Sequence, residues 1–128
     1  METPAPLIAV VDDEKPVRRA LMRLLQGERY RVEAFESAAG FLDSLPTEIP
    51  RCVILDLQMP DMSGVELQQR MLELDLHLPV IVITAHDRAD MHQRCLALGA
   101  RWYFCKPVEA SELLEAVRIA VNRHPASR

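Results

Sequence analysis

Apolar residues along this chain follow two alternating rhythms. Unbroken runs recur at Leu7-Ile8-Ala9-Val10-Val11, at Cys52-Val53-Ile54-Leu55 and at Pro79-Val80-Ile81-Val82-Ile83. Each is of strand length and lacks polar alternation, as strands covered on both faces of a parallel sheet do. Arg31-Val32-Glu33-Ala34-Phe35 and Arg101-Trp102-Tyr103-Phe104-Cys105-Lys106-Pro107 mix polar with apolar positions, which suits strands less deeply covered. Between the runs the spacing becomes helical. Val17, Leu21, Leu24 and Leu25 form one stripe, and Ala38, Phe41, Leu42 and Leu45 a second. Leu67, Met71 and Leu74 mark a third, Met91, Cys95 and Leu98 a thin fourth, and Leu113, Val117, Ala120 and Val121 a fifth.

Helix ends are signalled as well. Pro16 suits a first helical turn, where its missing N–H costs little, and Gly27 closes that helix. Ser37 caps the second helix, and Ser63-Gly64-Val65-Glu66 has the spacing of a capping box at the third. Asp87 is placed to cap the fourth, which Gly99 stops, and Glu109 opens the fifth. Residues 1–6 read as a tail and Pro46 to Pro50 as a loop. His124-Pro125-Ala126-Ser127-Arg128 trails off in a way that suits the start of a linker as well as a terminus.

Strand and helix thus alternate five times with short connections. The pattern predicts right-handed crossovers and an α/β fold: a doubly wound parallel sheet of (βα)5 type, helices on both faces. The two mixed strands belong at its edges, which fits the flavodoxin-like order 2-1-3-4-5. The expected organisation is a single domain over residues 1–128, with a core of about residues 7–122.

At 128 residues, 49% hydrophobic and 27% charged, the chain has the make-up of one soluble globular domain. A net charge of -4 argues against a nucleic-acid-binding surface, and no apolar run is long enough to span a bilayer. The N-terminus lacks the basic-then-apolar pattern of a secretory signal. Cys52, Cys95 and Cys105 show no Cys-x-x-Cys spacing, so structural disulfides and zinc are not expected and a reducing cytoplasm is. The four histidines form no metal-binding pattern. Cys105 is expected to face the core or a helix, with no redox role.

The residues that end the strands change the picture. The first strand ends on Asp12-Asp13, the third on Asp56, the fourth on Thr84 and the fifth on Lys106. In a parallel sheet these ends share one edge. An apolar strand has no place in its interior for an acid, so Asp56 belongs at that edge, where α/β sheets bind ligands. Three carboxylates together repel unless a cation sits among them. Oxygen ligands with room for water suit Mg²⁺ (or Mn²⁺). A hard cation, an ammonium and a hydroxyl around a lone carboxylate make a phosphoryl-transfer site. Asp56 would be the nucleophile, the metal and Lys106 would offset charge on the transferred oxygens, and Thr84 would donate a hydrogen bond.

Singly, these residues have plainer explanations. Asp12, Asp13 and Glu14 favour a helix N-terminus through its dipole. Asp56 suits a turn near Pro60 and Gly64, Thr84 a strand end, and Lys106 a solvated charge. Their joint occurrence, each at the end of its own strand, favours the chemical reading.

The chain closely resembles the receiver domain of bacterial two-component response regulators over roughly residues 7–122. The matching pieces are Asp12-Asp13, Leu55-Asp56 with Met59-Pro60-Asp61-Met62-Ser63-Gly64, Thr84-Ala85, Gly99-Ala100 and Lys106-Pro107. The resemblance implies that Asp56 is the phosphoacceptor and that Asp12 and Asp13 bind the metal, Asp13 the more directly. Asp56 itself and the backbone carbonyl of Gln58 complete the protein ligands. Thr84 matches the switch hydroxyl, Lys106 the phosphate-contacting lysine and Tyr103 the switch aromatic, and Lys106-Pro107 is expected to be cis. Gln58 and His86 stand where the family tunes dephosphorylation.

The implied activity is acceptance of a phosphoryl group from a sensor histidine kinase, with no catalysis beyond the domain's own phosphorylation and dephosphorylation. The implied output is a change in the α4-β5-α5 face, which would engage a partner or form a homodimer, with no direct nucleic-acid or membrane binding by this domain. An unphosphorylated receiver-like interaction module is the alternative, disfavoured by the intact acids, hydroxyl and lysine. A hydrolase using an aspartyl phosphate lacks its Asp-x-Asp motif and cap here. A flavin binder lacks its Ser/Thr/Gly-rich phosphate loop.

Overall fold

The computed structural model describes residues 5–45 and 47–122. The elements in chain order are β1 (Leu7–Val11), α1 (Lys15–Gly27), β2 (Arg31–Phe35), α2 (Ala38–Ser44) and β3 (Cys52–Asp56). They continue with α3 (Gly64–Glu73), β4 (Val80–Thr84), α4 (Ala89–Ala97), β5 (Ala100–Cys105) and α5 (Ala110–Asn122). All strand pairs are parallel, in the order β2-β1-β3-β4-β5. This is the flavodoxin-like sheet that the pattern of runs predicts. The tail through residue 4, Pro46 and the segment from residue 123 lie outside the described residues.

Strands β1, β3 and β4 are buried at every position, whereas β2 and β5 are only partly buried and form the edges. Helices cover both faces. On one, Ala9, Val11, Val53, Leu55, Val80 and Val82 pack with Phe41, Leu67, Met71 and Cys95 of α2, α3 and α4. On the other, Ile8, Val10, Ile54, Ile81 and Ile83 pack with Leu21 and Leu25 of α1 and Leu113 and Val117 of α5. Each such Val, Leu, Ile, Phe or Met side chain contributes about 1.5–3 kcal/mol by leaving water. Successive strand residues therefore serve opposite faces. That alternation sets where the strand-end residues point.

The caps explain the entry to each helix. Pro16 occupies the first turn of α1, and the Ser37 hydroxyl of α2 accepts from the Gly40 N–H at 3.0 Å. At α3 the capping box is complete: Ser63 Oγ accepts from the Glu66 N–H at 3.2 Å, and Glu66 Oε1 from the Ser63 N–H at 2.8 Å.

Four details depart from the sequence reading. Arg88, not Asp87, occupies the N-cap of α4, without a side-chain cap bond. Leu74 is 55% exposed: it is the C-cap of α3, just past the last helical residue, and Asp75 turns the chain at φ 61° directly after it. Cys105 is exposed rather than facing the core or a helix, being the last residue of an edge strand with no neighbour on one side. Strand β5 stops there, so Lys106 stands just beyond it.

Gln68 is the unexpected buried residue. At 2% exposure it lies among the apolar positions of α3 and donates through Nε2 to the Cys95 carbonyl at 3.1 Å. Cys95 is the one described residue of α4 that is fully buried. The helix thus rests on one thiol and one cross-helix hydrogen bond, with partly buried Met91 and Leu98 beside them.

Candidate functional site

Register builds the site. Val11 pairs with Leu55 across β1 and β3, so Asp12 and Asp56 stand at the same level, one residue further along. Both continue the alternation of Ile8, Val10 and Ile54 and belong to the side of the sheet covered by α1 and α5. Lys106 continues the alternation of Trp102 and Phe104, which pack on that same side. Thr84 and Tyr103 continue the opposite one, with Val82, toward α3 and α4.

Asp12 and Asp56 are 0% and 3% exposed, and Asp13 is exposed at the mouth. One carboxylate oxygen from each lies within 4.8 Å of the others. Lys106 Nζ lies 3.1 Å from Asp12 Oδ2, 3.6 Å from Asp56 Oδ2 and 2.8 Å from Glu14 Oε1. Backbone donors hold the acids from behind: the Glu14 N–H reaches Asp12 Oδ1 at 2.8 Å and the Gln58 N–H reaches Asp56 Oδ1 at 3.3 Å. Arg18 donates to the Asp12 carbonyl at 2.8 Å and fixes the turn into α1.

Burial raises the Asp56 carboxyl first, and the neighbouring Asp12 charge second; against these Lys106 and the Gln58 N–H act, leaving it at about 6. Asp12 is raised by burial too, with the Glu14 N–H and Lys106 opposing. Burial disfavours the Lys106 ammonium, but its hydrogen bond to Glu14 and the close carboxylates of Asp12 and Asp56 carry its pKa above the ordinary value.

The donor set fits a hard divalent cation. Asp12 Oδ2, although close to Lys106, is not aligned for a hydrogen bond and has no such partner among the described residues. A buried carboxylate oxygen left so is costly, and a divalent cation beside oxygens of Asp13 and Asp56 would offset that cost. Oxygen-only ligands select Mg²⁺ or Mn²⁺ over softer metals.

The loop after β3 packs tightly under the acid. The Gly64 N–H donates to the Leu57 carbonyl at 2.9 Å, and a Cβ on Gly64 would lie 2.6 Å from the Asp56 carbonyl oxygen and 2.8 Å from Leu57 Cα. Only glycine allows that approach. Asp61 takes a left-handed φ of 70° within the same turn.

The side chains of the remaining candidates make no hydrogen bond to the carboxylates among the described residues. Thr84 is fully buried, and its hydroxyl closes its own turn, donating to the His86 carbonyl at 3.3 Å and accepting from the His86 N–H at 3.2 Å. The Lys106 N–H donates to the Thr84 carbonyl at 2.7 Å, which joins the ends of β4 and β5, and the Lys106-Pro107 bond is cis. The Tyr103 ring packs toward α4, and its buried hydroxyl has no hydrogen-bond partner among the described residues. Gln58 and His86 are both exposed at the rim. Sequence reasoning assigned Glu14 only to the helix dipole. Its contact with Lys106 bridges residues 92 apart in the chain, and only the sheet order brings them together.

Comparison with known proteins matches residues 8–118 to the response regulator receiver domain. The chain is 36% identical over 128 residues to the response regulator protein TodT of Pseudomonas putida, covering 100% of this chain and 56% of that protein. It is 37% identical over 113 residues to the transcriptional regulatory protein FixJ of Rhizobium meliloti, covering 88% of this chain and 55% of FixJ. The chain thus spans little more than half the length of these relatives. Sporulation initiation phosphotransferase F of Bacillus subtilis is 36% identical over 113 residues, covering 87% of this chain and 90% of that protein. The crystal structure of FixJ-N superposes with a TM-score of 0.85 at 35% identity, covering 97% of this chain and 98% of that one. A CheY-like receiver domain from Methanospirillum hungatei JF-1 gives 0.86 at 27% identity, covering 92% and 94%. Its matched family, its sheet order and its carboxylate edge agree, and the chain belongs to the response regulator receiver domains.

Proposed function

We propose that this receiver accepts a phosphoryl group on Asp56 from a sensor histidine kinase, in the cytoplasm, and passes the signal through the face made by α4, β5 and α5. The observation that carries the proposal is a single ammonium, Lys106 Nζ, within 4 Å of both buried carboxylates, Asp12 and Asp56. Among the three clustered acids, Asp12 and Asp13 lie toward the first strand, and Asp56 is left as the nucleophile.

Asp12, Asp13, Asp56 and the backbone carbonyl of Gln58 would hold Mg²⁺ or Mn²⁺. When bound, the ion supplies charge neutralisation for the phosphoryl oxygens and for the crowded acids. The chain's own residues do the rest. The Gln58 N–H on Oδ1 orients the Asp56 carboxylate. Lys106 offers a point charge to the incoming oxygens. After transfer, the added charge of about -1.5 to -2 gives Thr84 a stronger acceptor than the carbonyl of its own turn. Thr84 and Tyr103 lie on one side of the sheet, so movement of the hydroxyl reaches the ring and then α4. The phosphoryl group shifts the population of this face only by interacting better with one arrangement than the other. The repositioned face then forms a homodimer or engages an output partner. Gln58 and His86, exposed at the rim, tune water access and hence phosphoryl lifetime.

Incubation with acetyl phosphate and Mg²⁺, followed by intact mass, tests the assignment. The expected adduct is one phosphoryl group, absent from Asp56→Asn and from samples treated with a chelator. An adduct that persists in Asp56→Asn overturns it.

A further inference from the structure

Three carboxylates share Lys106, and the nearest is the one outside the core. Glu14 Oε1 sits 2.8 Å from Nζ in a formed hydrogen bond, closer than Asp12 at 3.1 Å or Asp56 at 3.6 Å. Glu14 is the N-cap residue of α1, yet its side chain makes no cap bond. It reaches across the mouth of the site instead, with its side chain 58% exposed while the Lys106 side chain is 15% exposed. A residue free to serve its own helix is spent on the ammonium that faces Asp56.

We propose that Glu14 is a positioning residue for Lys106 that sets phosphodonor preference, weakening the site for doubly charged donors relative to singly charged ones. The inference rests on Asp56 being the phosphoacceptor. Among the described residues Lys106 is the one cation within 4 Å of Asp56 Oδ2. Paired with Glu14 it presents little net charge, and a donor must draw it away from that partner. The electrostatic penalty scales with the donor's charge, so a dianion loses more than a monoanion.

Acetyl phosphate is a dianion near neutral pH, and phosphoramidate is close to a monoanion. With the first, an Asp56 oxygen bonds to phosphorus while the bond from phosphorus to the acetyl oxygen breaks, and acetate leaves with the electron pair. With the second, the phosphorus–nitrogen bond breaks, and ammonia leaves with the pair from a nitrogen already protonated. The bond formed is the same, so the ratio of the two rates isolates donor charge and leaving group from the integrity of Asp56.

The test is the rate of adduct formation with each donor, by quenched intact mass with Mg²⁺, in the unsubstituted protein, Glu14→Gln and Glu14→Asp. Glu14→Gln is expected to raise the acetyl phosphate to phosphoramidate rate ratio by about 2–5-fold at low ionic strength, the scale of an exposed ion pair. The gain should shrink in about 1 M salt. Glu14→Asp keeps the charge and the original ratio. An unchanged ratio in Glu14→Gln, or the same rise in Glu14→Asp, overturns the proposal while leaving Asp56 in its role. Failure of the unsubstituted protein to form an adduct with either donor overturns both.

Discussion

The imidazole of His92 in α4 lies flat on the phenol ring of Tyr103 in β5, with centroids 4.0 Å apart and planes within 5°. With Cys95 and the Gln68 hydrogen bond, this stack is one of few attachments of a helix that buries little apolar surface. His92→Ala is expected to cost about 0.5–1.5 kcal/mol, the scale of an aromatic pair, and to speed amide exchange in Ala89–Ala97 selectively. Uniform exchange across the molecule would show that the stack does not hold α4.

Gln68 offers a sharper test of the same helix. Its Nε2 is bonded, but its buried Oε1 has no partner among the described residues. Gln68→Met loses one hydrogen bond and removes one orphaned acceptor, so urea unfolding should report a change within about 1 kcal/mol. Gln68→Glu places a carboxylate against the Cys95 carbonyl and should cost about 2–4 kcal/mol at neutral pH, less in acid. Equal losses from the two variants would point to shape rather than charge.

The raised Asp56 pKa makes a pH prediction. With a folded value of about 6 against an ordinary 3.8, the folded state binds the proton more tightly than the unfolded one. Metal-free protein therefore loses stability as pH rises from about 4 to about 6, by up to about 3 kcal/mol from this group. Asp56→Asn should stabilise the metal-free protein by about 1–3 kcal/mol at pH 7, and the gain should vanish below about pH 4. Mg²⁺ should raise the Tm of the unsubstituted protein and do so far less for Asp56→Asn. Thermal unfolding across pH, with and without Mg²⁺, checks all three.

Gly64 predicts a backbone effect with no change of charge. Gly64→Ala drives a methyl into the Asp56 carbonyl and Leu57 Cα, neither of which is the end of a flexible side chain. A loss of about 1–3 kcal/mol is expected, together with slower phosphorylation because the strand end that carries Asp56 must shift. Gly27→Ala, where a Cβ meets nothing within 4 Å, is the control. Equal effects at the two positions would remove the special standing of the loop.

Much of this was legible in the chain itself. Unbroken runs such as Val80–Ile83 specify strands buried on both faces, and the mixed pattern of Arg31–Phe35 specifies an edge. Strand order and the shared edge follow, and with them the meeting of Asp12, Asp13 and Asp56. What stayed hidden depends on side-chain reach and local termination. Helical spacing sets Gln68 three residues from buried Val65 and Met71, but its polarity gives no sign that the position is covered. Glu14 could not be tied to Lys106 by spacing, because the link is a salt bridge made across the sheet edge. Arg88 takes the cap position from Asp87 because a cap depends on the dihedrals of the turn before it, which composition does not encode.

The alternation of strand residues has one more consequence. Asp12, Asp56 and Lys106 fall to the side of α1 and α5, and Thr84 and Tyr103 to the side of α4. Under the proposed function this puts chemistry and readout on opposite sides of the sheet, with Thr84 as the link between them. The surface presented by α4 and Tyr103 is free to diverge toward new partners while the carboxylates stay fixed, and the reverse holds for α1. Beyond the register shift that leaves Arg101 unpaired between Val80 and Ile81, a single-residue deletion at Tyr103 or Phe104 would breach that partition by carrying Lys106 to the wrong side. From Trp102 onward, parity of residue count in the last strand thus matters to the site alongside the identity of the acid.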